Sequence, residues 1–336
     1  MELDYPLIWG LLIAFAIFAY VCLDGFDLGI GILYPTTSDQ DERSLMMNTV
    51  APVWDGNETW LILGGGGLFA VFPLAYATIM PALYMPILLM LIGLIFRGVA
   101  FEYRFKASDK RRPYWDLAFF LGSLVAALSQ GVALGALIQG IEIEGRSYAG
   151  GWFDWLTPFS VMTGFALVSG YALLGATWLI MKLEGTAQEH FRRVARPCAL
   201  LLLMFIGIVS IWMPFIDPGI VRLWFSMPYV LYTVPVPIAV AALAFVIWRG
   251  ITYDHHHATA FLATLGLFLV TYIGLGINLY PYVVPHNFTI WEAAAPDSSL
   301  KFLLVGAVVL IPMILAYTGY AYWVFRGKTK STEGYH

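Results

Sequence analysis

Charge is what this sequence has least of. Only 12% of its 336 residues are Asp, Glu, Lys or Arg, about half the share in an ordinary soluble domain, and that scarcity excludes a water-soluble globule. A basic excess is missing too. With 18 Lys and Arg against 22 Asp and Glu, nothing is left over to neutralise a phosphate backbone, which argues against nucleic-acid binding. Cysteine is nearly absent: Cys22 and Cys198 lie in separate apolar runs, without the paired spacing of a zinc or iron–sulfur site, and read as small buried hydrophobes. No phosphate loop is present either. The four-glycine run Gly64–Gly67 lacks the Lys-Ser/Thr that would follow it in such a loop, so it reads as a place of close helix approach, as does the Gly25/Gly29 pair.

What is present is apolar. Hydrophobic residues make up 60% of the chain and the mean hydropathy is +0.76, the mark of helices whose solvent is lipid. Nine runs are each long enough to cross about 30 Å of hydrocarbon: 7–33, 52–72, 78–101, 115–138, 159–181, 198–215, 229–249, 258–280 and 302–325. The first follows an acidic start and is too long for a signal-peptide core, so it is expected to stay in the membrane. Connections are too short for a soluble domain, which makes residues 1–336 a single integral-membrane domain. Prolines in or beside spans (Pro73, Pro81, Pro86, Pro235, Pro237, Pro312) imply kinks or breaks.

Short loops rich in Lys and Arg remain cytoplasmic. With the N-terminus outside, fourteen cations fall inside: Arg43, the Arg104 to Arg112 group, Lys182, the Arg192 to Arg196 group, Arg249, Arg326, Lys328 and Lys330. Only Arg146, Arg222 and Lys301 fall outside, and Arg97 lies within a span. The expected fold is therefore all-α and polytopic, with a periplasmic N-terminus and a cytoplasmic C-terminus. Trp152, Trp155 and Trp224 in the outer connections suit an interfacial belt; no Tyr or Trp is singled out as a redox relay.

Ionisable groups inside spans are costly and need a partner or a hydrated cavity. The first span carries Asp24 and Asp27, the second Asp55 and Glu58, and the third Arg97 and Glu102. Each acidic pair is spaced i,i+3, on one helical face, and all six groups belong to the cytoplasmic third. Two readings stand: a proton-collecting funnel in which Arg97 keeps some acids ionised, and a structural ion-pair knot pinning three helices. Histidine is informative by its placement. His190, His255, His256, His257, His286 and His336 are expected in connections or at the terminus, so no span offers the usual axial ligand of a haem. The 255–257 triplet reads as a solvated loop, since adjacent residues do not converge on a metal as i,i+4 pairs do.

Three stretches carry a resemblance: Leu23–Gly31 (LDGFDLGIG), Ala51–Trp60 (APVWDGNETW) and Phe96–Arg104 (FRGVAFEYR). With the segment from Tyr280 and the closing Pro312–Trp323 helix, the chain resembles subunit II of the cytochrome bd-type quinol oxidases of bacterial respiratory chains, in its outer loops the cyanide-insensitive branch. The resemblance implies two four-helix bundles plus one peripheral helix in the inner membrane, paired with a haem-bearing subunit I. That partner holds haems b and d and the quinol site; this chain would bind no haem and no metal. Some members hold a structural ubiquinone in this subunit, and some complexes carry a small accessory subunit. The complex would be an electrogenic terminal oxidase passing electrons from ubiquinol to O2, with Asp24 and Asp55 on a proton route. The residues alone leave open a stand-alone proton-coupled transporter and a purely structural partner of the haem subunit.

Overall fold

The computed structural model describes residues 3–253 and 257–329; Asp254, His255, His256, Lys330 and His336 lie outside the described residues. The first helix, α1 (Tyr5–Leu33), starts where the Asp4 carboxylate accepts the Leu7 amide at 3.0 Å, with Pro6 in the first turn, a placement where its missing N–H costs nothing. It is followed by α2 (Gln40–Asn48), α3 (Trp54–Val71), α4 (Pro73–Ala82) and α5 (Tyr84–Arg104). The expected 78–101 span is thus two helices: α4 opens at Pro73, and the chain breaks again at Leu83.

Then come α6 (Arg112–Gln139), a hairpin of β1 (Ile143–Glu144) with β2 (Ser147–Tyr148), and α7 (Pro158–Lys182). A reciprocal Thr157/Ser160 cap starts α7. After two residues α8 (Gly185–Ile216) begins, well before the expected 198. The sequence alone places these extra turns in a connection, because they hold His190, Arg192, Arg193 and Arg196. Yet Phe191, Ala195, Ala199 and Leu202 are buried at i,i+4 and i,i+3 spacing, so the helical stripe continues below the apolar run. The sequence-based placement of His190 in a connection is corrected accordingly. The rest is α9 (Gly219–Phe225), α10 (Val230–Thr233), α11 (Pro235–Tyr253), α12 (Thr259–Leu279), the hairpin β3 (Tyr282–Val284) with β4 (Phe288–Thr289), α13 (Ile290–Ala293) and α14 (Asp297–Val324).

Eight helices among the described residues are long and apolar enough to cross a membrane: α1, α5, α6, α7, α8, α11 with α10, α12 and α14. The chain is an all-α, multi-pass membrane protein. Helix α3 is the one apolar run outside that set, because Asp55, Asn57 and Glu58 crowd its first two turns.

Helix α1 is the hub, packed on α3, α6 and α7. A Cβ on Gly29 would sit 1.9 Å from the Tyr171 carbonyl oxygen, so the two backbones touch and only glycine fits; the packing role read for the Gly25/Gly29 pair holds. Below it Phe26 stacks on Trp178 with centroids 4.3 Å apart. The four-glycine run divides. Gly64 and Gly67 face Ile17 and Ile13 of α1, whereas Gly65 and Gly66 have nothing within 4 Å. Helix α14 stands apart, with Leu300 its only fully buried residue among those described.

Candidate functional site

The deepest polar group in the bundle is built on Arg97. One guanidinium nitrogen donates to Asp24 Oδ1 at 2.5 Å and reaches Glu58 Oε2 at 3.4 Å, bringing α5, α1 and α3 together. Arg97 is 1% and Asp24 0% exposed, a burial that ionised groups accept only when paired. The Arg97 side chain also lies over the Trp54 ring, 5.6 Å from its centroid. Asp27, one turn on from Asp24 and equally buried, accepts from Asn57 Nδ2 at 2.8 Å. Asn57 Nδ2 also lies 3.3 Å from the Leu23 carbonyl, and its Oδ1 accepts the Tyr322 hydroxyl of α14 at 2.8 Å.

Among the buried atoms of this group, Asp24 Oδ2, Asp27 Oδ1 and Arg97 Nε make no protein hydrogen bond of normal geometry. Glu58 keeps 31% of its side chain exposed, and so connects the interior carboxyls to the outer face of α3. One fixed cation facing three carboxyls can bind and release protons as well as hold helices together.

Four of the six residues singled out in the sequence, Asp24, Asp27, Glu58 and Arg97, meet in this group. Two do not. Asp55 lies on the exposed face of α3, because the i,i+3 step that turns Glu58 toward Arg97 leaves Asp55 pointing out of the bundle. Glu102 pairs with Lys106 at 3.9 Å, both exposed, an interfacial i,i+4 contact worth little.

A second buried group escaped the sequence reading. Arg104, counted as a loop cation, is 1% exposed and donates Nε to Asp116 Oδ1 at 2.5 Å. Arg43 bonds the other Asp116 oxygen at 2.9 Å, while Gln40 and Ser44 complete the shell. The signal was available: Asp116 lies inside the expected 115–138 span and needed a partner by the same rule as Asp24. A third element, also missed, is a bridge in which Gln130 donates to Tyr20 at 2.8 Å and accepts from Tyr171 at 2.7 Å. Tyr20 lies one turn before Asp24.

The family model of cytochrome bd terminal oxidase subunit II matches residues 5–325. The chain belongs to that family. It is 32% identical to cytochrome bd-I ubiquinol oxidase subunit 2 of Escherichia coli strain K12, over 97% of this chain and 96% of that one. It is 26% identical to cytochrome bd ubiquinol oxidase subunit 2 of Bacillus subtilis strain 168, over 97% of both. The solved bd oxidase of Geobacillus thermodenitrificans matches with a TM-score of 0.76 at 17% identity, over 96% of this chain and 99% of that one, which shows the shared fold.

A cytochrome bd subunit II is part of an oxidoreductase complex and implies a partner subunit I. The family implies haem, and the described histidines of this subunit do not fit one. His190 Nε2 contacts Thr36 Oγ1 at 3.3 Å, His257 Nδ1 contacts Arg192 at 3.2 Å, and His286 sits in the β3–β4 hairpin. No group of three or more His, Cys, Asp or Glu gathers for a metal among the described residues.

Proposed function

We propose that this chain is the non-haem subunit of a bacterial inner-membrane ubiquinol oxidase, and that it supplies proton-uptake carboxyls for the reduction of O2 to water on its haem-bearing partner. Haems b and d would belong to that partner. The observation that carries the reading is the Arg97 group, in which Asp24 and Asp27 are fully buried while Glu58 opens toward the surface of α3. One buried cation neutralises one carboxylate, and three face it; Asp24, Asp27 and Glu58 together therefore hold surplus acid, a place where protons can be held on the way inward, while Glu58 remains beside Arg97 if Asp24 is neutralised.

The partner's seat follows from the same helix. Asp55, Thr59, Ile62, Gly66 and Phe69 form an exposed stripe at i,i+3 and i,i+4 spacing, and an acid on a face of bare lipid is costly. The haem-bearing subunit covers this stripe, with Gly66 allowing close helix approach, which puts Asp55 at the subunit boundary beside Glu58. In this reading α3 completes nine crossings, the N-terminus is periplasmic, and the Lys- and Arg-rich ends are cytoplasmic.

The test is to measure haem content and quinol-driven oxygen uptake side by side in the purified Asp24→Asn and Asp55→Asn complexes. Asparagine keeps the shape and loses the exchangeable proton, so full haem with uptake slowed by about 10-fold or more, as for loss of a proton-transfer group, is expected. Full haem with undiminished uptake in both would overturn the proton role. A purified complex without haem bands in its reduced-minus-oxidised spectrum would overturn the oxidase assignment itself and favour a transporter.

A further inference from the structure

The hydrogen bond from α14 into the carboxyl group comes from a helix whose far end packs on the bundle through the Tyr322 ring, which meets Phe26 edge-on at 6.5 Å. Helix α14 buries almost nothing, yet Tyr322 near its end reaches Asn57, and Asn57 in turn reaches Asp27. Beyond that ring packing, a reciprocal lysine clamp holds the end of α14. Lys182, at the end of α7, donates Nζ to the Phe325 carbonyl and to the Gly327 carbonyl at 3.0 Å, while the Thr329 amide donates to the Lys182 carbonyl at 2.9 Å. Lys328 completes it by donating to the Leu183 carbonyl at 2.8 Å; partial burial lowers the Lys328 ammonium from its usual range, opposed by nearby Glu184. Lys182 also lies over the Trp178 ring at 5.2 Å, and that ring meets Tyr322 edge-on at 6.2 Å.

An Asn side chain can face a carboxyl with either end. Its NH2 donates to a carboxylate; its carbonyl oxygen accepts only from a protonated carboxyl. In this structure two neighbours of Asn57 favour the observed orientation: the Tyr322 hydroxyl, whose proton would lose its Oδ1 acceptor if the amide turned, and the Leu23 carbonyl, which can only accept and takes a donor at a long 3.3 Å. Tyr322 is the nearer of the two, at 2.8 Å. The other groups around Asp27 are Asp24 on its own helix, Glu58 on α3 and Arg97 on α5.

We propose that Tyr322 is a positioning residue that holds the Asn57 amide with its NH2 toward Asp27, so that the ionised form of Asp27 is favoured relative to a turned amide and the acid can exchange its proton, and that the Lys182 clamp holds Tyr322 in place. This rests on the proton-uptake reading above. Without the hydroxyl, the amide can turn over at the cost of the long Leu23 contact, and Asp27 then faces an acceptor and retains its proton.

The experiment uses the purified complex carrying Tyr322→Phe, Lys182→Met, Asp27→Asn, or Tyr322→Phe with Asp27→Asn. Full haem is expected in the first two, with oxygen uptake lowered about 3- to 10-fold, the scale of one hydrogen bond. Both also gain an additional protonated-carboxyl stretch in the infrared, which in the Tyr322→Phe complex disappears when Asp27→Asn is added. Haem loss in Tyr322→Phe would make the hydroxyl a structural bond and overturn the proposal. So would uptake and infrared bands like those of the parent. Parental behaviour in Lys182→Met alone would overturn the part assigned to the clamp. If Asp27→Asn is slow while Tyr322→Phe is normal, only this inference fails; if Asp27→Asn is itself fully active, the place of Asp27 in the proton-uptake reading fails.

Discussion

At the scale of the residue, the two buried arginines look alike and are expected to behave differently. Arg97 faces more carboxyls than it can neutralise, whereas Arg104 and Arg43 share the single Asp116. The second arrangement has its one acid held by two cations and no surplus acid, so it is a fastener between α2, α5 and the start of α6. Asp116→Asn should therefore leave Arg104 buried without its counter-charge, at a cost of about 3 to 5 kcal/mol. Less assembled complex and a lower thermal midpoint are expected, with oxygen uptake per haem unchanged. A purified Asp116→Asn complex of normal stability but low turnover would place Asp116 on the proton route instead. Asp24 and Asp116 were equally visible as acids inside apolar spans. Their different roles were not, because these depend on how many carboxyls share each arginine, and those partners come from other helices.

Helices α1 and α3 use glycine for opposite purposes. Gly29 is where α1 meets the backbone of α7, so Gly29→Val would drive a side chain into the Tyr171 carbonyl, 1.9 Å from the new Cβ, and the subunit should fail to accumulate in the membrane. Gly66, on the outer stripe of α3, has open space around it. Gly66→Leu should leave this subunit inserted at normal levels while reducing the amount of haem-bearing partner that co-purifies with it. Normal co-purification would move the partner's seat off α3. The sequence grouped Gly25/Gly29 and Gly64–Gly67 under one packing role. Which glycine faces its own bundle is settled by the rotation of each helix about its axis, a property that spacing along the chain does not carry.

For the whole molecule, the arrangement of cations makes orientation testable. A reporter fused after Arg112 should read cytoplasmic, and one inserted near Gly150, in the loop bearing β1 and β2, should read periplasmic. Two reporters on the same side would break the nine-crossing reading, since α6 alone separates them. The same cations show the reach of an apolar-run criterion. It falls on each of the long helices, yet begins α8 at 198, where hydrophobicity falls away toward the N-terminus while the i,i+4 burial stripe continues back to Phe191.

Composition and apolar run length determined by themselves that this chain is a multi-pass helical membrane protein, because burying a polar backbone in lipid leaves the helix as the only solution for runs of this length. They also determined that Asp24, Asp27, Glu58 and Arg97 had to find partners there. Tertiary structure alone decided who those partners are. Arg97 and Asp24 are 73 positions apart, and Tyr322 reaches Asn57 across 265; such pairings depend on helix rotation, depth and crossing. That is also why Asp55 turned outward while Glu58 turned in: in an α-helix three residues advance about 300°, near enough for neighbours to share a face, and far enough for the bundle's edge to pass between them.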